Sequence, residues 1–300
     1  MSDQSTVGFL LVDKPEGWTS HDVVAKIRKQ IGGKVGHAGT LDPMATGLLV
    51  LGVGGATRLL RFVQGAQKEY IATALFGIAT DSLDADGAIL SREPLPVTSD
   101  QVVEVMQRFI GEIMQVPPMV SARKVEGKRL YELAREGKVV EREARAVTIY
   151  RLEMIDLAPS DYPEVTFRAV CSTGTYIRTL ADDLGRAVGG RAHLSALRRV
   201  RNGSVHVNDA LTVDDIVSIA ENGQLGTILL SPGQVLSEYP ELRVDDATAF
   251  RVRNGRDLPD QMAPDNAAPD AVLRIGDRHG NLLAMYKKQQ RGLVAEVVLH

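Results

Sequence analysis

The chain has 300 residues, 44% of them hydrophobic, with a formal net charge of -3 and a pI near 6.1. That is enough apolar sequence for one large domain, or a large one with a small one, yet no apolar run reaches the length of a membrane-spanning helix. The single cysteine, Cys171, excludes an internal disulfide, and six scattered histidines do not form the clustered ligand set of a structural zinc site.

The polar first seven residues lack the basic and apolar regions of a signal peptide, so a soluble, cytoplasmic protein is expected. The net charge argues against a nucleic-acid binder, because phosphate affinity comes from Lys and Arg. The average hides clusters, however. Basic groups gather at Arg123, Lys124, Lys128 and Arg129, and again at Arg191, Arg198, Arg199 and Arg201. A mildly acidic protein can carry a basic face.

In chain order, residues 9–12 read as a short apolar strand, and Asp13-Lys14-Pro15-Glu16-Gly17 has turn chemistry. Thr19 and Ser20 offer caps to a helix whose apolar face is Val23, Val24, Ile27 and Ile31, ended by Gly32-Gly33. A glycine-rich loop over 36–47 leads into a buried strand at 48–53, a short helix at 56–63 and a strand at 70–76. Ser99 or Asp100 caps a helix bearing Val102, Val103, Met106, Phe109 and Ile110. Residues 130–136 read as helical, 147–155 and 165–171 as paired strands, and 177–188 as an amphipathic helix. This irregular alternation predicts an α+β fold with a mainly antiparallel sheet. Beyond about residue 240, short strands at 272–275, 282–286 and 293–299 predict a small β-rich domain. The segment 258–270, rich in Pro, Asp and Ala, is expected to be a mobile loop.

The densest motif is Gly36-His37-Ala38-Gly39-Thr40-Leu41-Asp42-Pro43-Met44-Ala45-Thr46-Gly47. Glycine admits backbone geometry closed to other residues and lets a ligand approach closely. Pro43 holds Asp42 out of the helical region, so the loop can present a carboxylate in a fixed direction. An ordinary Asp-Pro turn would use the same residue types. Other patterns carry less. Gly52-Val53-Gly54-Gly55 starts like a dinucleotide loop, but Thr57 stands where the third glycine belongs. Ser82-Leu83-Asp84-Ala85-Asp86-Gly87 approaches a calcium loop, but it begins with Ser and follows a strand. There is no phosphate loop ending in Gly-Lys-Ser/Thr, which argues against NTP hydrolysis.

Several blocks in order decide the reading: Leu11-Val12-Asp13-Lys14-Pro15-Glu16-Gly17-Trp18-Thr19-Ser20, the glycine-rich loop, Lys68-Glu69-Tyr70, Thr80-Asp81-Ser82-Leu83-Asp84, Pro117 to Lys124, Gly174-Thr175-Tyr176-Ile177-Arg178-Thr179-Leu180, Ala192-His193-Leu194, Leu197-Arg198-Arg199 and Gly203. Together they resemble the TruB family of pseudouridine synthases over most of residues 8–205. Past residue 240 the match is loose, where that family often carries a PUA-type RNA-binding domain. The resemblance implies a pseudouridine-synthase catalytic domain over 1–238, with a mixed, mainly antiparallel sheet, and a small PUA-like domain over 239–300.

The implied reaction converts the T-loop uridine of tRNA (position 55) to pseudouridine. The glycosidic bond to N1 breaks, and the base rotates and reattaches through C5. Asp42 takes the role of catalytic carboxylate; at an ordinary pKa of about 3.9 it is ionised and needs no activating base. Attack on the sugar, attack on the base and proton abstraction from the sugar all stay open. Arg178 matches the arginine paired with that aspartate, and Tyr70 the tyrosine beneath the target base. Tyr176 is a second wall and Leu197 an apolar pocket residue, while His37 sits at the RNA face. Residue types alone would leave Arg178 and Tyr70 as structural side chains.

Extruding a stacked uridine costs roughly a few kcal/mol, and Lys14, Arg123, Lys124, Arg198 and Arg199 are candidates for the compensating phosphate contacts. The resemblance implies no metal, nucleotide or organic cofactor, since an isomerisation needs neither redox partner nor energy source. The expected partner is the T arm of tRNA, with no membrane and a monomer by default. Three other readings remain: a guided synthase of the dyskerin kind, a non-catalytic RNA-binding or RNA-folding protein, and a sugar-directed hydrolase. The last needs a second carboxylate, for which Asp81 and Asp84 are available.

Overall fold

The computed structural model describes residues 7–118, 124–125, 128–129, 142–264 and 266–299. The expected helix at 130–136 lies outside them. Strand β1 (Gly8–Lys14) leads through the Pro15-Glu16-Gly17 turn to α1 (Ser20–Ile31). Thr19 closes a capping box with Asp22, and Gly32 ends the helix at φ 71°. There follow β2 (Val35–His37), β3 (Thr46–Val53), a 3-10 turn (Gly54–Leu59) running into α2 (Leu60–Gly65), and β4 (Lys68–Phe76). A hairpin of β5 (Ile78–Thr80) and β6 (Ile89–Arg92) precedes α3 (Ser99–Gln107), β7 (Gly111–Gln115) and the short β8 (Lys124–Val125) and β9 (Lys128–Arg129). Then come β10 (Arg145–Ala158), β11 (Glu164–Cys171), α4 (Ile177–Ala187), β12 (Ala192–Asn202), β13 (Val205–His206), β14 (Leu211–Thr212), α5 (Val213–Glu221) and α6 (Pro232–Val235). The tail holds β15 (Glu241–Arg243), α7 (Asp246–Arg253), β16 (Val272–Gly276), β17 (Leu282–Gln289) and β18 (Gly292–Val298).

The main sheet runs β14-β1-β3-β12-β4-β11-β10-β7, with β2 on β3 and β13 on β12. It is mixed and mainly antiparallel: only β1–β14 and β3–β12 pair in parallel. Strands β1 and β3 are apolar on both faces because both faces are covered. Leu10, Val12, Leu49 and Leu51 point to the α1, α3, α4 and α5 side, with Val23, Ile27, Met106, Leu180 and Ile216. Phe9, Leu11, Leu48 and Val50 point the other way, onto Phe62, Leu236, Met285 and Val297. Met285 and Val297 belong to the tail, so its four-stranded sheet packs directly on the body. Tyr239 Oη adds a hydrogen bond to the Phe62 carbonyl at 3.0 Å.

Several expectations change. The α3 cap is Thr98, paired with Gln101, because its hydroxyl reaches the Gln101 N–H. Residues 56–63 begin as a 3-10 turn before becoming α-helical. The tail also contains β15 and α7, whose sequences are too short or too weakly patterned to stand out. Leu258, which opens the segment expected to be mobile, is buried and exchanges two backbone hydrogen bonds with Leu293 of the tail sheet. Among the described residues no helix is long and apolar enough to cross a membrane.

Among the described residues the two halves of the main sheet join through two residue pairs, Thr46–Arg198 and Gly47–Arg199. Gly47 sits at φ 96°, and a Cβ there would lie 2.3 Å from the Arg199 carbonyl oxygen. Only glycine fits this joint. Gly47→Ala is therefore expected to lose about 2 kcal/mol or more of stability, read as a lower urea midpoint at unchanged slope. An unchanged midpoint would show that the joint tolerates a side chain.

Candidate active site

The loop between β2 and β3 carries Asp42 and is gripped from several sides. Gly39 turns the chain at φ 95°. The buried Ser20 hydroxyl accepts from the Leu41 N–H at 2.8 Å and donates to the Leu41 carbonyl at 3.2 Å. The Asp42 carbonyl accepts from the Ala45 N–H at 3.1 Å, closing the Asp-Pro turn, and the Pro43 carbonyl accepts from the Gly17 N–H at 2.9 Å. The ordinary turn and the presented carboxylate are thus the same structure.

Arg178, the second residue of α4, supplies the counter-charge. Its Nε lies 3.0 Å from Asp42 Oδ2, and its Nη2 donates to Asp42 Oδ1 at 3.3 Å. Its Nη1 donates to Asp84 Oδ2 at 2.9 Å and to the Ser82 carbonyl at 3.2 Å. The Arg178 and Asp84 side chains are only 4% and 6% exposed, whereas Asp42 retains 35%. One rigid guanidinium thus joins two carboxylates, and only one of them opens outward. Asp84 is further held by the Ser82 hydroxyl and by the Asp86 N–H. Burial pushes the Asp42 pKa above the usual carboxylate range; Arg178 opposes the shift and the Asp84 charge adds to it.

A cleft of about 340 Å³ opens over this carboxylate, lined among others by Asp42, Lys68, Tyr70, Tyr176, Arg178 and Leu197. Its volume falls within the roughly 300–1,000 Å³ typical of small-ligand sites. Tyr70 stands half-buried on β4, and burial raises its pKa against the opposing Arg199 charge, so its phenol stays neutral. The structure therefore brings together Asp42, Arg178, Tyr70, Tyr176 and Leu197. His37 lies outside the cleft lining, half-buried on β2, with its pKa lowered by burial and by Arg199.

The basic residues divide differently. Lys14 is fully buried, and its ammonium donates to the carbonyls of Pro15, Trp18 and Pro43 at 2.8, 2.6 and 3.2 Å. All three N–H groups are used internally, so the expected phosphate contact is corrected: Lys14 holds the Asp42 turn. Burial lowers its pKa to about 8, although Asp42 pulls the other way. Arg199, the other buried candidate, lines the cleft with little of it exposed. At 1% exposure it binds the Leu48 carbonyl at 2.7 Å and the Gly39 carbonyl at 3.1 Å, bracing the loop from below. Arg198 is partly exposed, in a two-bond pair with Asp13 at 2.7 and 3.0 Å, outside the cleft. Arg123 and the side chain of Lys124 lie outside the described residues.

Sequence reading gave two groups no place beside Asp42 and Arg178. Asp84 ends one of the matching blocks, but the sequence offered it only as a second carboxylate for a hydrolase. Lys68, first in Lys68-Glu69-Tyr70, lines the cleft; it is buried against the Gln64 and Ala66 carbonyls, and burial lowers its pKa to about 8. Among the described residues no three His, Cys, Asp or Glu side chains gather to hold a metal.

Comparison with known proteins defines the class first. Residues 26–177 match the model of the TruB family pseudouridylate synthase N-terminal domain, and 178–232 match the tRNA pseudouridylate synthase B C-terminal domain. The "tRNA pseudouridine synthase B" of Solibacter usitatus (strain Ellin6076) is 42% identical over 90% of this chain and 93% of its own. That of Ralstonia nicotianae (strain ATCC BAA-1114 / GMI1000) is 41% identical over 98% of this chain and 94% of its own. Among solved structures, a Cbf5-Nop10-Gar1 complex aligns with TM-score 0.76 at 27% identity, over 97% of this chain and 84% of that one. An H/ACA RNP bound to a substrate RNA containing 2'-deoxyuridine aligns with TM-score 0.75 at 25% identity, over 98% and 85%. The molecule is an isomerase of the pseudouridine-synthase class. The chain belongs to the TruB family of pseudouridylate synthases.

The shared guanidinium makes a test. Asp84→Asn keeps the shape but removes one of the two charges that fix Arg178. Turnover is expected to fall about ten- to a hundredfold, the scale of a misaligned reacting group, with RNA affinity unchanged. Wild-type turnover would show that Asp42 alone orients Arg178.

Proposed function

We propose that this enzyme converts the T-loop uridine of tRNA (position 55) to pseudouridine, with Asp42 as the catalytic carboxylate acting on an extruded uridine. The observation that carries the reading is the Asp42 carboxylate, clamped by Arg178 on the floor of a cleft walled by Tyr70 and Tyr176. The relatives aligned over nine-tenths of the chain are named for action on tRNA. The H/ACA RNP and the Cbf5-Nop10-Gar1 complex are more distant in sequence, at 25–27% identity, which favours a stand-alone enzyme working on the T arm, with a monomer as the default.

In this reading the uridine leaves its stack and enters the cleft. Stacking on Tyr70 returns about 1–3 kcal/mol of the unstacking cost. The bond between N1 and the sugar breaks while the Asp42 carboxylate manages the separated fragments. Arg178 holds that carboxylate in one direction and steadies its charge. The base turns, C5 bonds to the sugar carbon, and the C5 proton departs, with the neutral Tyr70 hydroxyl beside it as relay. N1 regains a proton, so the product is an isomer of the substrate. His37 and Arg198, outside the cleft lining, serve RNA binding, as do Arg123 and Lys124, and the tail is a PUA-like RNA-binding domain.

Tritium release from an unmodified tRNA transcript labelled at uridine C5 tests this directly. Wild type should release label without any guide. Asp42→Ala and Asp42→Asn should lose about a thousandfold or more in rate while retaining tRNA in filter binding. Turnover by Asp42→Asn at the wild-type rate would remove Asp42 from the chemistry.

The pH profile supplies a second check. Because the Asp42 pKa is raised, the carboxylate takes up its proton at a higher pH than an exposed aspartate near 3.9 would. As pH falls through the raised value, kcat/KM should drop with unit slope. Asp84→Asn removes a charge that raises this pKa, so the acid limb should move to lower pH. A limb unmoved by Asp84→Asn would assign it to another group.

A further inference from the structure

Gln115 closes β7 at the edge of the main sheet, and only 2% of it is exposed. Its carboxamide makes two hydrogen bonds to the backbone of a single residue, Tyr176. Gln115 Oε1 accepts the Tyr176 N–H at 2.8 Å, and Gln115 Nε2 donates to the Tyr176 carbonyl at 3.0 Å. This is the bond pair a neighbouring strand would offer, delivered by a side chain. The backbone beyond Gln115 cannot continue such pairing, because Pro117 and Pro118 have no N–H.

Tyr176 is the residue from which α4 starts, and it has no side-chain cap of its own. Its carbonyl also accepts the first helical hydrogen bond, from the Leu180 N–H at 3.1 Å. In the preceding turn the side-chain bonds of Thr175 and Ser172 go elsewhere: Thr175 Oγ1 donates back to the Ser172 carbonyl at 3.0 Å, and Ser172 Oγ accepts from the Thr148 N–H at 2.9 Å. Tyr176 also walls the cleft, and Arg178 follows two residues later. The direction in which α4 leaves the sheet sets where the Arg178 fork meets Asp42.

We infer that Gln115 is a positioning residue for the isomerisation: its carboxamide latches Tyr176 and so fixes the approach of Arg178 to Asp42. The inference rests on the proposed role of Asp42. It makes the edge strand β7, remote from the reacting atoms, part of the alignment of the cleft.

Gln115→Met keeps the side-chain length and removes both hydrogen bonds. Gln115→Glu keeps the acceptor and loses the donor. Single-turnover tritium release at saturating enzyme should fall about ten- to a hundredfold in Gln115→Met and less in Gln115→Glu, with tRNA Kd within about twofold of wild type. A double-mutant cycle with Arg178→Lys separates positioning from general destabilisation. If Gln115 acts through Arg178, Gln115→Met costs little further rate in the Arg178→Lys background. Wild-type rates in Gln115→Met, an undiminished loss in the Arg178→Lys background, or a loss confined to Kd would each overturn the inference. If Gln115→Met does not fold, Gln115→Glu carries the same cycle. Activity surviving Asp42→Asn would instead sink the reading on which the inference rests, while leaving the coupling of Gln115 to Arg178 measurable.

Discussion

One guanidinium organises the centre of this molecule. Arg178 is buried between Asp42 and Asp84, and a buried cation is tolerated only where its hydrogen bonds and charge are matched. Its fork is planar and permanently charged, so meeting both carboxylates at once fixes their relative position. The loop that carries Asp42, the hairpin that carries Asp84 and the start of α4 must therefore take up one arrangement together. Removing Asp84 would leave the guanidinium partly unmatched, a change that costs about 3–5 kcal/mol in buried pairs generally. The pair is asymmetric: Asp84 is enclosed, and Asp42 keeps a face toward the cleft.

Around this pair the protein uses buried cations as braces for backbone. Lys14 collects three carbonyls under the Asp42 turn, Arg199 collects one within the glycine-rich loop and one just past it, and Lys68 holds the chain entering β4. Loop carbonyls turned inward would otherwise lie unpaired away from water. The braces also place positive charge near the carboxylates: Asp42 is the largest attractive charge acting on Lys14. A basic residue in a motif can thus serve the protein's own backbone as readily as it serves a phosphate.

The sheet explains why the cleft lies where it does. Among the described residues its halves meet through two parallel pairs, at Thr46 and Gly47, immediately after the Asp42 turn. On one side stand β1 and β3, apolar on both faces and locked between helices and the tail. On the other stand β4, β11 and β12, which bring Tyr70 and Leu197 to the same opening. A short joint leaves room for a cleft, and the tail packed behind it, through Met285 and Val297, stiffens the half that carries the loop.

Much of this was legible in the order of residues. The caps at Thr19, the glycines that end α1 and turn the loop, the apolar period of α1 and α4, and the Asp42-Pro43 turn are local signals, set by backbone sterics and by neighbours within a few positions. The blocks around Asp42, Tyr70 and Arg178 marked the candidate site for the same reason: each is a short, unusual combination. What the order of residues could not reveal is which charges lie inside. Lys14, Arg199 and Asp84 look like exposed charges or an abandoned calcium loop until the chain brings Pro43, Gly39 and Arg178 beside them from 29, 160 and 94 positions away. Burial and long-range pairing are properties of the packed molecule, because desolvation depends on everything that surrounds a group. Only the tertiary structure could decide that Lys14 and Arg199 direct hydrogen bonds to the protein's own backbone and that Asp84 pairs with Arg178.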